Sequence, residues 1–202
     1  MTVPTYRWQP TTAQIAERYG LPVSAVVRFD HNTSPFTTDW APTLVAPMAR
    51  QLNEYPGASY ADLRTAAAGY LGTDPDRVVP GAGVDEIILM IAKAFLGSRR
   101  RSAAIVPTYP LYEIATAQHE SEFIAVEWEA PGFGFPRRAI GEAAETSDVT
   151  WLCVPNNPTG HRLPDADIVE VIRAAKGIVV IDAAYAEFTN DRWAPWVERY
   201  DN

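Results

Sequence analysis

Three short runs carry apolar side chains at consecutive positions: Ala103-Ala104-Ile105-Val106, the Trp151-Leu152-Cys153-Val154 stretch after Thr150, and the Ile178-Val179-Val180-Ile181 stretch after Gly177. A strand with one wet face alternates apolar and polar residues, so uninterrupted runs of this kind read as strands covered on both faces. Helical patterns lie between them. Asp85–Leu96 is helical with Gly97 behind it, Ser102–Val106 extended, Leu111–His119 helical, and Phe123–Val126 extended. Arg137–Glu145 is helical, Val149–Val154 extended, Asp165–Ala175 helical, and Ile178–Ile181 extended. This alternation predicts an α/β fold of three layers, with helices on both faces of a largely parallel central sheet.

The flanking segments read differently. Residues 1–40 hold scattered aromatics and prolines and one helix over Thr12–Tyr19 that Gly20 ends, the pattern of an N-terminal arm leading into a small domain. Residues 41–202 contain no repeat and no Ser/Gly linker, and so form one large domain. Within it Pro42–Leu52 is a helix, Ser59–Tyr70 a second with Ser59 as N-cap and Asp62 three residues on, and Arg77–Val79 is extended. A last helix near Ala194–Arg199 has no stop signal after it.

Charge and composition exclude several function classes. The make-up, 47% hydrophobic and 21% charged over 202 residues, is that of a globular protein, and the net charge of −8 opposes binding to nucleic acid or to an anionic membrane. One cysteine, Cys153, cannot form an internal disulfide, and it lies in an apolar run where a thiol packs as a small hydrophobe. The start MTVPTYRWQP has no signal-peptide pattern and no apolar run approaches the ~20 residues of a membrane span, so the expected location is cytoplasmic. His31, His119 and His161 have no metal-ligand spacing, and no metal is expected.

In open α/β sheets ligands bind beyond the carboxyl ends of the strands. Val149–Val154 runs into Pro155-Asn156-Asn157-Pro158-Thr159-Gly160, and Ile178–Ile181 runs into Asp182-Ala183-Ala184-Tyr185-Ala186-Glu187-Phe188. Alone, the first is compatible with a plain turn and Asp182 with a helix cap. Together they supply a carboxylate, an amide and a phenol at one end of a sheet, the set a pyridine-ring cofactor requires. Asp182 would keep the ring nitrogen protonated, while Asn157 and Tyr185 would share the ring oxygen. Pro80-Gly81-Ala82-Gly83-Val84-Asp85-Glu86 passes through two glycines into a helix start, where free amides attract phosphate, although the same pattern serves an ordinary βα turn. It is not a dinucleotide fingerprint, since Glu86 stands in place of the third glycine. Tyr109, after the strand ending at Val106, is placed either to stack on a flat ring or to sit in the core.

The ordered set GAGVDE, PTYPLY, PNNPTG and DAAYAEF resembles the fold type I aminotransferases that use pyridoxal 5′-phosphate, within them most closely the histidinol-phosphate aminotransferase group. The likeness covers about residues 28–202 and includes FDHNTSPF and EYPGASYADLR. It implies that Gly83, Val84 and Asp85 hold the cofactor phosphate, that Tyr109 lies against the ring, that Asn157 and Tyr185 bind its oxygen, and that Asp182 binds its nitrogen. It further implies that Tyr55 reaches the phosphate of a neighbouring subunit's cofactor, hence a homodimer, and that Asn32 lies on the substrate side. The implied reaction is amino transfer between histidinol phosphate and 2-oxoglutarate. Similar sequences act on aromatic amino acids or decarboxylate threonine phosphate, and a non-enzymatic remnant that binds phosphate compounds is the reading from another class. Ala82, Val84 and Ala183 depart from the residues usual in the group, but none of these changes removes a backbone amide or the ring-nitrogen carboxylate.

Transamination needs a lysine that carries the cofactor as an imine. The chain has two lysines, Lys93 inside a helix and Lys176 in the last turn of another, and both read as surface residues. In the family the reactive lysine follows a strand later than any present here, so no catalytic residue is assigned. The expectation is an N-terminal portion, cut before the Schiff-base lysine and inactive alone, with an open sheet edge and uncovered apolar surface.

Overall fold

The computed structural model describes residues 4–6, 8–34, 36–57 and 59–202. The expected arm and leader-free start include residues 1–3, 7 and 35, which lie outside that set. By contacts the chain divides into two compact units, residues 7–59 and the remainder.

In the 7–59 unit, α1 (Thr12–Tyr19) forms as its sequence predicts, because both ends satisfy their own backbone. Thr11 Oγ1 accepts from the Gln14 amide at 3.2 Å and Gln14 Oε1 accepts from the Thr11 amide at 2.8 Å, a reciprocal cap. Gly20, at φ +64°, ends the helix in the left-handed region open to glycine. The expected 42–52 helix is α2 (Ala41–Met48) followed by a 3₁₀ turn over Ala49–Gln51. Among the described residues of this unit only Ala16 is buried.

The remainder begins with α3 (Ala61–Leu71), whose N-cap is Tyr60 in a left-handed conformation with no side-chain cap. Ser59 thus stands one residue too early to cap it, contrary to expectation. Arg77–Val79 is not a strand of the sheet: Pro75–Arg77 is a 3₁₀ turn, started by Asp74 accepting from the Asp76 amide at 2.8 Å. Then follow α4 (Gly83–Phe95), β1 (Arg101–Val106), α5 (Leu111–Gln118), β2 (Glu122–Glu127), α6 (Arg137–Ala144), β3 (Val149–Cys153), α7 (Asp165–Ala174), β4 (Ile178–Asp182) and α8 (Ala194–Arg199).

The four strands are parallel in the order β2-β1-β3-β4. The two-residue period of a strand sends alternate side chains to opposite faces. Ala103, Ile105 and Leu152 meet Ile140 of α6 and Ile168 of α7 on one side. Ala104, Val149 and Trp151 meet Ile88 and Ala92 of α4 and Tyr112 and Ala115 of α5 on the other. The chain is therefore the expected three-layer α/β/α architecture. All of β3 is buried, but Ile178–Ile181 of β4 is only half-buried, because β4 has one neighbouring strand rather than two.

Beyond α8 the backbone turns extended at Tyr200, so the helix does stop. Asn202 accepts from the Val179 amide at 3.0 Å on the outer side of β4, and its side-chain amide donates to Ile172 O at 2.9 Å. Trp193, Trp196 and Tyr200 pack against the core there, beside a cleft of about 570 Å³. At this same amino end of the sheet a Cβ on Gly177 would stand 2.1 Å from the Asp148 carbonyl oxygen, so only glycine lets β4 start this close to β3. Among the described residues no helix is long and apolar enough to cross a membrane.

Candidate functional site

The strand order makes a site before any side chain is considered. From β1 the chain moves to β2 on one side and then returns to β3 on the other, and at such a reversal the loops after the two central strands diverge and leave a crevice. Those loops are Pro107-Thr108-Tyr109-Pro110 after β1 and Val154-Pro155-Asn156-Asn157 after β3. Asn156, 5% exposed, ties them together. Its amide nitrogen donates to Pro107 O at 3.0 Å and to Thr159 Oγ1 at 2.8 Å, and its oxygen accepts from Thr108 Oγ1 at 2.8 Å. Asn157 is the half-buried residue that follows.

Pairing of Cys153 with Asp182 sets the depth of the next element, and the Val154 amide donates to Asp182 O at 2.9 Å. Asp182 and Asn157 therefore lie at the same end of adjacent strands. The Asp182 side chain is buried, with Oδ1 accepting from the Ala184 amide at 3.1 Å and Oδ2 from the Tyr112 hydroxyl at 2.5 Å. Burial, and next the charge of Asp182, push the Tyr112 phenol far above the ordinary tyrosine range, so it remains the donor. Burial likewise pushes the Cys153 thiol up, leaving it a packing group. Tyr185 is half-buried at the start of a 3₁₀ turn over Ala186–Phe188, with its ring 6.5 Å from that of Phe188.

The glycine corner is open to solvent. Gly83 adopts φ +77°, a conformation side chains resist, and a Cβ on Gly81 would meet Ile87 Cδ1 at 2.6 Å. The Gly83 amide turns back to Gly81 O at 2.9 Å, and the Ala82 amide donates to Glu86 Oε2 at 2.5 Å. The amides of Val84 and Asp85, in the first turn of α4, have no acceptor among the described residues. Tyr109 bridges this corner to the crevice: its hydroxyl donates to Asp85 Oδ1 at 2.7 Å, while its ring meets Tyr112 edge-on at 5.9 Å. Tyr109, Asn157, Asp182 and the start of α4 thus belong to one end of one sheet. Tyr55, 98% exposed, and Asn32, at φ +49°, belong to the 7–59 unit.

Lys93 is exposed in the last turn of α4 and Lys176 is exposed beyond α7. The expected place of Lys176 in the last helical turn is corrected, since Ala175 already turns extended. Its ammonium pairs with Asp148 at 3.2 Å, at the amino end of the sheet, five residues of strand or about 17 Å from the Asp182 end.

Three contributors escaped the sequence reading. Tyr112 lies in the first turn of α5, three residues after Tyr109 of the preceding loop, and its hydroxyl reaches Asp182 only through the fold. Asn156 is the first of two adjacent asparagines, and only the fold distinguishes them. Arg162 holds Asp191 with two bonds, of 3.1 and 2.8 Å, and its guanidinium lies 5.5 Å from the Trp193 ring, which joins the segments after the two strand-end motifs.

Residues 25–202 match the model of the family described as aminotransferase class I and II. The chain belongs to that family. It is 32% identical over 180 residues to the histidinol-phosphate aminotransferase of Methanothermobacter thermautotrophicus, covering 87% of this chain and 48% of that one. It is 33% identical over 187 residues to the enzyme of the same name from Paenarthrobacter aurescens, covering 86% and 50%. This aminotransferase-family chain also superposes, at a TM-score of 0.73 and 22% identity, on the Sinorhizobium meliloti histidinol-phosphate aminotransferase solved in complex with pyridoxal-5′-phosphate, covering 90% of this chain and 50% of that one. At that identity the likeness speaks for the fold. The chain spans about half the length of the relatives it matches.

Proposed function

We propose that this chain provides the ring and phosphate contacts for pyridoxal 5′-phosphate in an enzyme that moves an amino group between histidinol phosphate and 2-oxoglutarate. The observation that carries the reading is the buried Asp182 carboxylate at a strand end beside Asn157, with the open amides of α4 linked to the same crevice through Tyr109 and Asp85. The donor set suits the group: a carboxylate for the ring nitrogen, an amide and a phenol for the ring oxygen, an aromatic face, and unpaired amides for a phosphate. When bound, the cofactor supplies a ring that withdraws electrons from the substrate carbon.

In this reading Asp182 holds the ring nitrogen, Asn157 and Tyr185 bind the ring oxygen, and Tyr109 covers one ring face. Gly83, Val84 and Asp85 form the phosphate turn, with glycine needed at position 83 for its left-handed backbone. Asn32 contacts substrate and Tyr55 reaches across a homodimer, consistent with the exposure of Tyr55, Phe29 and Trp8 in the 7–59 unit. We place the enzyme in the cytoplasm, in keeping with its free cysteine. The names of the relatives support histidinol phosphate as substrate.

Titration of the chain with pyridoxal 5′-phosphate, followed by absorbance, tests the reading. Saturable, non-covalent binding that Asp182→Ala weakens at least tenfold, about 1.4 kcal/mol or more, is the expected result. Borohydride treatment and mass measurement should find no stoichiometric adduct on Lys93 or Lys176, and such an adduct would overturn the site. Equilibrium dialysis of the cofactor-loaded chain should favour histidinol phosphate over tyrosine.

A further inference from the structure

Asp182 is held from behind by a group that plays no part in the contacts proposed above. Tyr112 is wholly buried in the first turn of α5, and its ring stacks on Trp151 of β3 at 5.1 Å with the planes 6° apart. Trp151 is itself 1% exposed, so the phenol is seated on a fixed surface. From that seat the hydroxyl reaches Asp182 Oδ2 at 2.5 Å, across 70 residues of sequence, while the Ala184 amide holds Oδ1. Each carboxylate oxygen offers two lone pairs, so one donor on each fixes the plane of the group and leaves it able to accept once more.

We propose that Tyr112 is a positioning residue that orients the Asp182 carboxylate toward a ring nitrogen at the mouth of the crevice. This rests on the reading of Asp182 given above. The stack on Trp151 supplies rigidity, and the phenol supplies direction. Losing the hydroxyl leaves Asp182 one donor short and free to rotate about its terminal torsion, which is broad for aspartate. The cost falls on recognition of the ring nitrogen, and contacts to the phosphate are untouched.

The test compares pyridoxal 5′-phosphate with its carbon analogue, in which the ring nitrogen is replaced by C–H, binding to the 202-residue chain. The wild-type chain should prefer the nitrogen compound by about tenfold, the size of one charge-assisted hydrogen bond. Tyr112→Phe should reduce that preference to about twofold while leaving affinity for the carbon analogue within about twofold. An unchanged preference in Tyr112→Phe, or an equal loss of affinity for both compounds, would overturn the proposal while the Asp182 reading stands. No preference in the wild-type chain would overturn the Asp182 reading and the proposal with it. Should Tyr112→Phe not fold, Trp151→Phe keeps the phenol on a smaller seat and should lower the preference about threefold; an unchanged preference there counts against the proposal.

Discussion

The sheet-bearing unit and the 7–59 unit both form helices but differ in burial. Every residue of β3 is buried, and two layers of helices close over Trp151 and Leu152. In the 7–59 unit α1 is well capped at both ends, yet only Ala16 is buried among the described residues, and Phe29, Leu52 and Tyr55 are at least 82% exposed. Capping satisfies backbone groups, whereas burial of apolar area stabilises a fold. The difference teaches that regular local structure is no sign of a self-sufficient core. Tyr112 and Trp151 of the sheet-bearing unit are buried, whereas Trp8, Phe29, Phe36, Trp40 and Tyr55 of the 7–59 unit are exposed.

Four variants would break or sharpen that contrast. The largest effect is expected from Trp151→Ala, which removes a buried aromatic from the centre of the sheet and should cost about 3–5 kcal/mol in urea unfolding. Hydrogen exchange on the same samples should find β3 amides the slowest and those of residues 7–59 close to unprotected. Next, Asn156→Ala leaves Pro107 O and two threonine hydroxyls without their partner and should cost about 2–3 kcal/mol by the same assay.

The third effect depends on pH. Tyr112 titrates from an ordinary value of 10.0 in the unfolded chain but stays protonated well above that in the fold. Above that pH the unfolded state binds fewer protons than the native state, so stability falls as pH rises, by at most about 1.4 kcal/mol per unit. Tyr112→Phe should remove most of that slope. Smallest of all, Phe29→Ala should change stability by under about 0.5 kcal/mol in dilute solution. A larger loss that emerges only as protein concentration rises would place Phe29 between subunits.

Much of this was legible in the sequence because it depends on period and strand ends. Consecutive apolar residues marked β1 and β3, Gly20 marked the end of α1, and polar residues after apolar runs located the carboxyl end of the sheet. Asp182 and Asn157 fell out of that rule. What stayed hidden depends on pairings between distant segments. The Tyr112 hydroxyl and Asp182 are 70 residues apart, and Asn156 acts only because β1 and β3 are neighbours. Half-burial of β4 reflects its place in the strand order, which its own composition does not encode. Near position 60 the local rule itself failed, since a left-handed Tyr60 displaced the expected serine cap.

Gly177 gives the fold a point of failure remote from any chemistry. With the Asp148 carbonyl 2.1 Å from where a first side-chain carbon would stand, even alanine there would force the two strand entries apart. If Asp182 holds the cofactor as proposed, a survey of random variants scored by pyridoxal 5′-phosphate binding would rank position 177 beside position 182 as equally intolerant. Only the amount of soluble product would tell the broken hinge pin from the blunted tool.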